Sequence, residues 1–364
     1  MNPYAPGPTS PPNEPLRLDR AELFSPRVES YLEERAALKK QMPQIDVQPL
    51  VVRIIYSNWF YLSIACLLGA LLGWGLIEPF FDDLHVHQGG QTAALLMFPT
   101  VAGFIGLFLG AAEGLMCRNL LRALKSAAIG LGVGFGGGLV ALFPCGTVFG
   151  ITSQIALNLS PNLQAGQVPH GLALLVLMLG RAGAWAIIAI AAGAGQGIAV
   201  RERKVILNGI LGGMLGGLLG GLLFAPISIW FASANGKATL SRGIGFAVIG
   251  VMVGLFVGLV EQWTKTAWLL MRAGPLAGKQ FVLYKNPTVL GSSPKADVYL
   301  FKDGAIEPRH ALIHSRGGRF EIEDCGTPDG TYVNGVPVAS QILKTGDQVV
   351  LGKTALEFLL KDTK

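Results

Sequence analysis

Residues 209–224, GILGGMLGGLLGGLLF, decide how the larger part of this chain folds. The run is apolar throughout and too long for a strand. Gly213, Gly217 and Gly221 recur at every fourth position, and a second register one residue earlier runs beside them. Residues four apart lie one above the other on a helix face, so the glycines form a stripe without side chains. In water an interior glycine costs a helix roughly 0.5–1 kcal/mol relative to alanine. In lipid, where hydrophobic burial drives no association between helices, such a stripe lets a second backbone come close and gain packing. The stretch reads as a membrane-spanning helix in contact with others. Bundle packing and a pore or oligomer seam are both uses that such a stripe allows.

The surrounding sequence repeats the pattern. Of 364 residues 51% are hydrophobic and 14% charged, against about 25% charged in soluble domains. Six apolar spans are each long enough to cross roughly 30 Å of hydrocarbon. They fall at 58–80, 92–114, 127–149, 176–199, 206–231 and 243–263, giving an α-helical transmembrane domain over 58–263. A shift of 83 residues places EGLMCRN at 113–119 on QGIAVRE at 196–202, and Gly130, Gly134 and Gly138 on Gly213, Gly217 and Gly221. A shift of 61 places Arg181 on Arg242 at the outer start of a span, which makes Arg181 an interfacial anchor; if 172–180 lies in lipid instead, Arg181 is buried. These glycine-rich internal repeats share one topology.

Orientation follows from the loops. Arg118, Arg122 and Lys125 occupy one short loop and Arg201, Arg203 and Lys204 another, whereas 81–91 and 150–170 carry no Lys or Arg. Basic loops stay in the cytoplasm, which places both termini there and makes the protein a multi-pass membrane chain. Lys237 and Arg242 dissent weakly on the outer side. Ahead of the spans, 1–18 is Pro-rich and reads as a disordered tail, and 19–57 as a cytosolic helical segment whose periodicity ends near Pro43. The first span is then an uncleaved anchor.

Little chemistry is on offer. Cys66, Cys117, Cys145 and Cys325 form no CxxC. Glu113 sits near the inner end of its span with Arg118 and Arg122 beyond it and reads as a snorkelling, partly paired carboxylate. Asp82, Asp83, His85 and His87 share an outer loop, but a metal needs a further ligand, and none is assigned. With no nucleophile–base set and no phosphate loop, neither a catalytic residue nor a cofactor is expected. The net charge of +6 is explained by the basic loops rather than by nucleic acid.

After 264–274, which reads as a linker, the pattern changes to short alternating runs such as KQFVLY, HALIHS, RFEIED and ALEFLL separated by glycine turns. This is the pattern of an all-β sandwich over 275–364. The order TVLGSSPKADVYL, PRHALI, DCGTPDGTYVNG, TGDQVVLG resembles that of the forkhead-associated (FHA) family. The whole layout is similar to that of bacterial membrane proteins with a C-terminal FHA domain. The resemblance implies an eleven-stranded sandwich that binds phosphothreonine peptides with loops at one end. It also implies that Gly291, His310, Gly330, Thr331, Asn334 and Gly335 are the retained structural residues. Where the family places a phosphate-binding Arg, this chain has Ser292; where it places Ser, Glu307; and where it reads Thr-Asn, Pro328-Asp329. Arg309 and Lys295 are the nearby cations. An arginine–phosphate pair is charge-assisted and often bidentate, and two carboxylates repel a group carrying roughly −1.5 to −2 charge. The face is degenerate for phosphothreonine. Glu307 and Asp329 suit a basic peptide, or they are solvated turn residues.

The sequence thus reads as a non-enzymatic, membrane-anchored scaffold or signalling adaptor. A cytoplasmic protein partner binds its FHA-like module, the lipid bilayer surrounds its helices, and the glycine stripes allow homo-oligomers. The alternative is a transporter or channel regulated by the module, with Pro99 and Pro144 as candidate helix breaks.

Overall fold

The computed structural model describes residues 49–80, 91–161, 169–231 and 238–361. The N-terminal tail, the helix expected up to Pro43, and Asp82, Asp83, His85 and His87 lie outside the described residues. A short helix α1 (Leu50–Ile55) precedes six long ones: α2 (Asn58–Ile77), α3 (Gln91–Met116), α4 (Leu120–Leu159), α5 (Gly171–Val200), α6 (Arg203–Trp230) and α7 (Thr239–Thr264). All six are long and apolar enough to cross a membrane.

Each helix packs on its neighbour in sequence and α7 packs on α2, so the six close into a ring, with α3 also touching α5 across the middle. Leu109, Ile105, Val101, Ile188, Trp185, Phe246, Ile249 and Val253 fill the centre. The glycines set the spacing. A Cβ on Gly213 or Gly217 would sit 2.4 Å from Ala189 O or 2.5 Å from Trp185 O of α5. In the second register, a Cβ on Gly212 or Gly216 would sit 2.4 Å from Val257 Cα or 2.5 Å from Met252 O of α7. Helix α6 therefore needs both registers, one for each neighbour. A Cβ on Gly130, Gly134 or Gly138 of α4 would sit 2.1 Å from Gly106 O, 2.4 Å from Ala102 O or 2.8 Å from Pro99 Cα of α3.

The turns α3–α4 and α5–α6 close alike. Arg118 and Arg201 are left-handed at φ 53° and 59°, and Asn119 N–H and Glu202 N–H donate to Gly114 O and Gly197 O. These are the αL ends that return the last helical carbonyls to a donor.

Three expectations are corrected here. Residues 150–159, read as loop, continue α4, whose 40 residues run about 60 Å. Helix α5 starts at Gly171, so Arg181 is not at a helix start: residues 172–180 are helical and Arg181 lies ten residues inside. The prolines break nothing, since Pro99 and Pro144 sit inside continuous α3 and α4.

Eleven strands follow. One sheet has the order β2-β1-β11-β10-β7-β8 and the other β4-β3-β5-β6-β9. The strands are β1 (Ala267–Ala273), β2 (Gln280–Val282), β3 (Thr288–Gly291), β4 (Val298–Tyr299), β5 (Ala311–Arg316), β6 (Arg319–Asp324), β7 (Thr331–Val333), β8 (Val336–Val338), β9 (Ser340–Leu343), β10 (Gln348–Leu351) and β11 (Thr354–Leu360). The segment read as a linker is thus a strand. β1 begins directly after α7, buries Ala267, Leu269 and Met271, and pairs antiparallel with β11 from Ala267↔Leu360 onward. Its alternating burial is the mark of a strand with one face on the core.

Candidate functional site

The loops expected to form a binding face are β3–β4, β4–β5 and β6–β7, and one histidine ties them together. Gly291 ends β3 against the β4–β5 loop, so close that a Cβ would meet Pro308 O at 2.2 Å. Across that approach Ser292 N–H donates to Glu307 O at 2.9 Å. His310 is 0% exposed. Its Nδ1 accepts from Glu307 N–H at 3.2 Å, which assigns the ring proton to Nε2, 3.1 Å from Gly330 O. Cys325 N–H donates to His310 O at 3.0 Å. The ring and its backbone therefore bond the second loop to the third.

Asp324 braces the third loop. Its carboxylate accepts from Gly326 N–H, Thr327 N–H, Thr327 Oγ1 and Thr331 Oγ1 at 2.7–3.0 Å. Partial burial would raise this carboxyl, but those bonds, led by Thr331, hold it below the ordinary value. Gly330 turns the loop at φ 67°. Asn334 and Gly335, both left-handed, make the β7–β8 turn, and Asn334 bonds Asp347 Oδ1 and Gln348 N–H at 2.9 Å each. Asn-Gly is the residue pair that such a hairpin favours.

The side chains expected to meet a ligand point elsewhere than into this frame. Glu307, Arg309, Pro328 and Asp329 are exposed, and Ser292 is half-buried. Burial holds the Cys325 thiol above its ordinary value, with the Arg309 charge opposing. Among the described residues no three His, Cys, Asp or Glu group as metal ligands.

A second constellation was not legible in the sequence. The end of the β3–β4 loop away from Ser292 is held by the α3–α4 turn: Asn119 Nδ2 donates to Pro294 O at 2.7 Å and Arg122 Nη1 to Asp297 O at 3.1 Å. Asn119 also caps α4, its Oδ1 accepting from Arg122 N–H. Arg122, read as a partner for Glu113, thus engages the sandwich instead. Glu113 lines a small cavity between bundle and sandwich together with Gln196, Glu261 and Lys279. There Glu261 accepts from Asn58 Nδ2 at 2.8 Å and Tyr284 OH at 3.0 Å. Lys279, 1% exposed, lies over the Tyr61 ring at 5.0 Å. Burial, then Glu261, raise the Tyr284 phenol above its ordinary value. Burial lowers the Lys265 ammonium to about 8, with Glu261 opposing. Cys117 of the bundle belongs to the sandwich's own apolar core. The junction is a packed polar interface rather than a tether.

Comparison with known proteins agrees with the frame. Residues 288–352 match the FHA domain. The chain is 42% identical over 94 residues to an "Oxoglutarate dehydrogenase inhibitor" of Corynebacterium efficiens, covering 26% of this chain and 66% of that protein. It is equally 42% identical to "Glycogen accumulation regulator GarA" of Mycolicibacterium smegmatis, covering 26% of this chain and 59% of that protein. The chain thus spans less than two thirds of the length of these relatives. Among solved structures, the FHA domain of the CT664 protein of Chlamydia trachomatis is 27% identical, with TM-score 0.25, covering 27% of this chain and 100% of that one. The FhaA FHA domain, solved with the intracellular domain of Rv3910, is 25% identical, with TM-score 0.24, covering 26% and 99%. Each of these relatives and structures covers about a quarter of the chain. Behind six helices apolar enough to span a membrane, the chain carries a C-terminal FHA domain.

Proposed function

We propose that this protein is a non-enzymatic membrane scaffold or signalling adaptor whose FHA domain binds a protein partner without requiring phosphate. The observation that carries the reading is the division within the loops. The frame of buried Gly291 and His310 with half-buried Asp324 and Gly330 is complete. The outward positions are Ser292, Glu307, Pro328 and Asp329, two of them carboxylates and none a cation. A phosphate there meets repulsion instead of a charge-assisted pair. The same carboxylates suit a basic segment of a partner. The side chains filling the ring's centre favour anchoring over conduction.

Two measurements test this. The full chain in an uncharged detergent is titrated with a phosphothreonine peptide and its unmodified twin. The expected affinity ratio is near one. A ratio of tenfold, or 1.4 kcal/mol, in favour of the phosphopeptide would show that Arg309 or Lys295 has replaced the missing arginine. Replacing Ser292→Arg, Glu307→Ser, Pro328→Thr and Asp329→Asn together is expected to create the preference that the wild type lacks.

The basic turns at Arg118–Arg122 and Arg201–Lys204 support a cytoplasmic place for the sandwich. Cys325 is the exposed cysteine, and Cys66, Cys117 and Cys145 are buried. In intact spheroplasts a membrane-impermeant maleimide is expected to leave the protein unlabelled, and to label Cys325 once the membrane is permeabilised. Because that thiol is held above its ordinary value, labelling is read at about pH 8.5, where an ordinary thiol is half ionised. Labelling before permeabilisation would invert the topology.

A further inference from the structure

At the end of the bundle far from the sandwich, α3 to α7 line a half-open cavity of about 470 Å³. Its position follows from α7, which lines the cavity with Ala238–Phe246 near its start and joins β1 at its other end. The cavity is within the range of roughly 300–1,000 Å³ typical of small-molecule sites. One side is aromatic: Phe98, Trp185, Phe246 and Phe224 follow one another with ring centroids 5.3, 5.5 and 5.8 Å apart.

Two arginines line it, and they differ in one respect. Arg242 is neutralised: its Nε and Nη2 donate to Glu78 Oε2 at 3.1 Å and Oε1 at 2.5 Å. Arg181 has no carboxylate among the described residues. Its guanidinium lies 5.8 Å from the Phe149 ring centroid and 5.3 Å from that of Phe224. Ring faces attract the charge but accept none of the five N–H donors in the usual sense. The remaining polar side chains offer no anion, since Ser228, Ser241 and Cys145 donate to Ala225 O, Ala238 O and Ala184 O. Among the described residues the cavity therefore carries one net positive charge against an apolar wall. An arginine within an apolar span is costly and normally pairs with an anion or a backbone carbonyl.

We infer that this cavity binds an amphipathic anion, with an acyl chain against the aromatic side and a phosphate or carboxylate head paired with Arg181. The planar guanidinium fork matches either head bidentately. An anionic phospholipid and a free fatty acid both present this chemistry, and both occur at a membrane. The inference goes beyond the adaptor reading and stands whether or not the FHA domain needs phosphate.

The test uses the full chain in an uncharged detergent, with binding read by native mass spectrometry and by thermal shift. Four probes are compared: dioleoylphosphatidylglycerol against dioleoylphosphatidylcholine, and oleate against methyl oleate. We expect at least one anionic probe to bind tenfold or more tightly than its uncharged or zwitterionic twin, and the pair that discriminates identifies the source. Arg181→Gln is expected to reduce that ratio at least fivefold, and Arg181→Lys, which keeps the charge, to retain most of it. Gly146→Leu keeps both arginines but fills the cavity from a position where an added Cβ meets nothing within 4 Å. It is expected to weaken the anionic probe at least fivefold while the protein stays folded. A ratio near one for both pairs in the wild type overturns the inference. So does a ratio that survives Arg181→Gln, or binding indifferent to Gly146→Leu, either of which places the lipid on the outer surface of the bundle.

Discussion

A fragment of residues 275–364 is expected to be unfolded, whereas one of residues 266–364 is expected to give a folded β domain. The difference is β1, Ala267–Ala273, which stands second in the six-stranded sheet, between β2 and β11. Removing it strips β11 of an antiparallel partner along nearly its whole length and detaches β2 from the sheet. It also removes Leu269 and Met271 from the core, at 0% and 1% exposure. Fully burying such a side chain is worth about 1.5–3 kcal/mol, and every buried backbone group of β11 left without a partner adds to the loss. A domain whose total stability is about 5–15 kcal/mol does not survive the combined loss. Far-UV circular dichroism and thermal unfolding of the two fragments decide it. A cooperative transition of equal midpoint in both would show that β1 is dispensable.

Replacing Gly217 with leucine is expected to destabilise the bundle by about 3 kcal/mol, the upper end of what overpacking a dense interior usually costs. The added Cβ would stand 2.5 Å from Trp185 O and 2.7 Å from Ala189 Cβ, so α5 and α6 must separate. Separation propagates, because Trp185 also contacts Phe98 and Phe246 at the centre of the ring. Two controls isolate the cause. Gly132→Leu makes the same chemical change where an added Cβ meets nothing within 4 Å. Leu218→Ala alters the neighbouring position, 42% exposed and outside the close contact. Both are expected to unfold near the wild-type temperature in detergent, and Gly217→Leu several degrees lower. Equal midpoints for Gly217→Leu and Gly132→Leu would remove the close approach as the reason for the glycine.

How far each feature was legible depended on whether its signal was local. The six helices are periodic, long and apolar, and lipid has no use for a shorter or more polar segment, so composition sufficed. The sandwich was legible from its turns, because Asn334-Gly335 and Gly330 are residues chosen for backbone conformations that few others adopt. β1 was hidden because AWLLM follows an apolar helix after only two residues, and burial makes both read alike. The junction was hidden for another reason. Asn119, Arg122, Glu261 and Lys279 are ordinary residues whose partners stand from 23 (Glu261 to Tyr284) to 218 (Lys279 to Tyr61) positions away, and no spacing in the chain announces them.

The sequence by itself determined the two layers of this protein, the outward residues of the FHA loops and the sign of their charge, since each of these rests on residue type at a place fixed by local pattern. Only the tertiary structure decided which neighbour each glycine register serves, that the sandwich is seated on the α3–α4 turn instead of tethered below it, and that, among the described residues, Arg242 has a carboxylate while Arg181 has none beside an apolar cavity. Those are statements about which distant groups share a space, and they follow from the closure of the helix ring and the pairing of β1 with β11, not from any stretch of chain read alone.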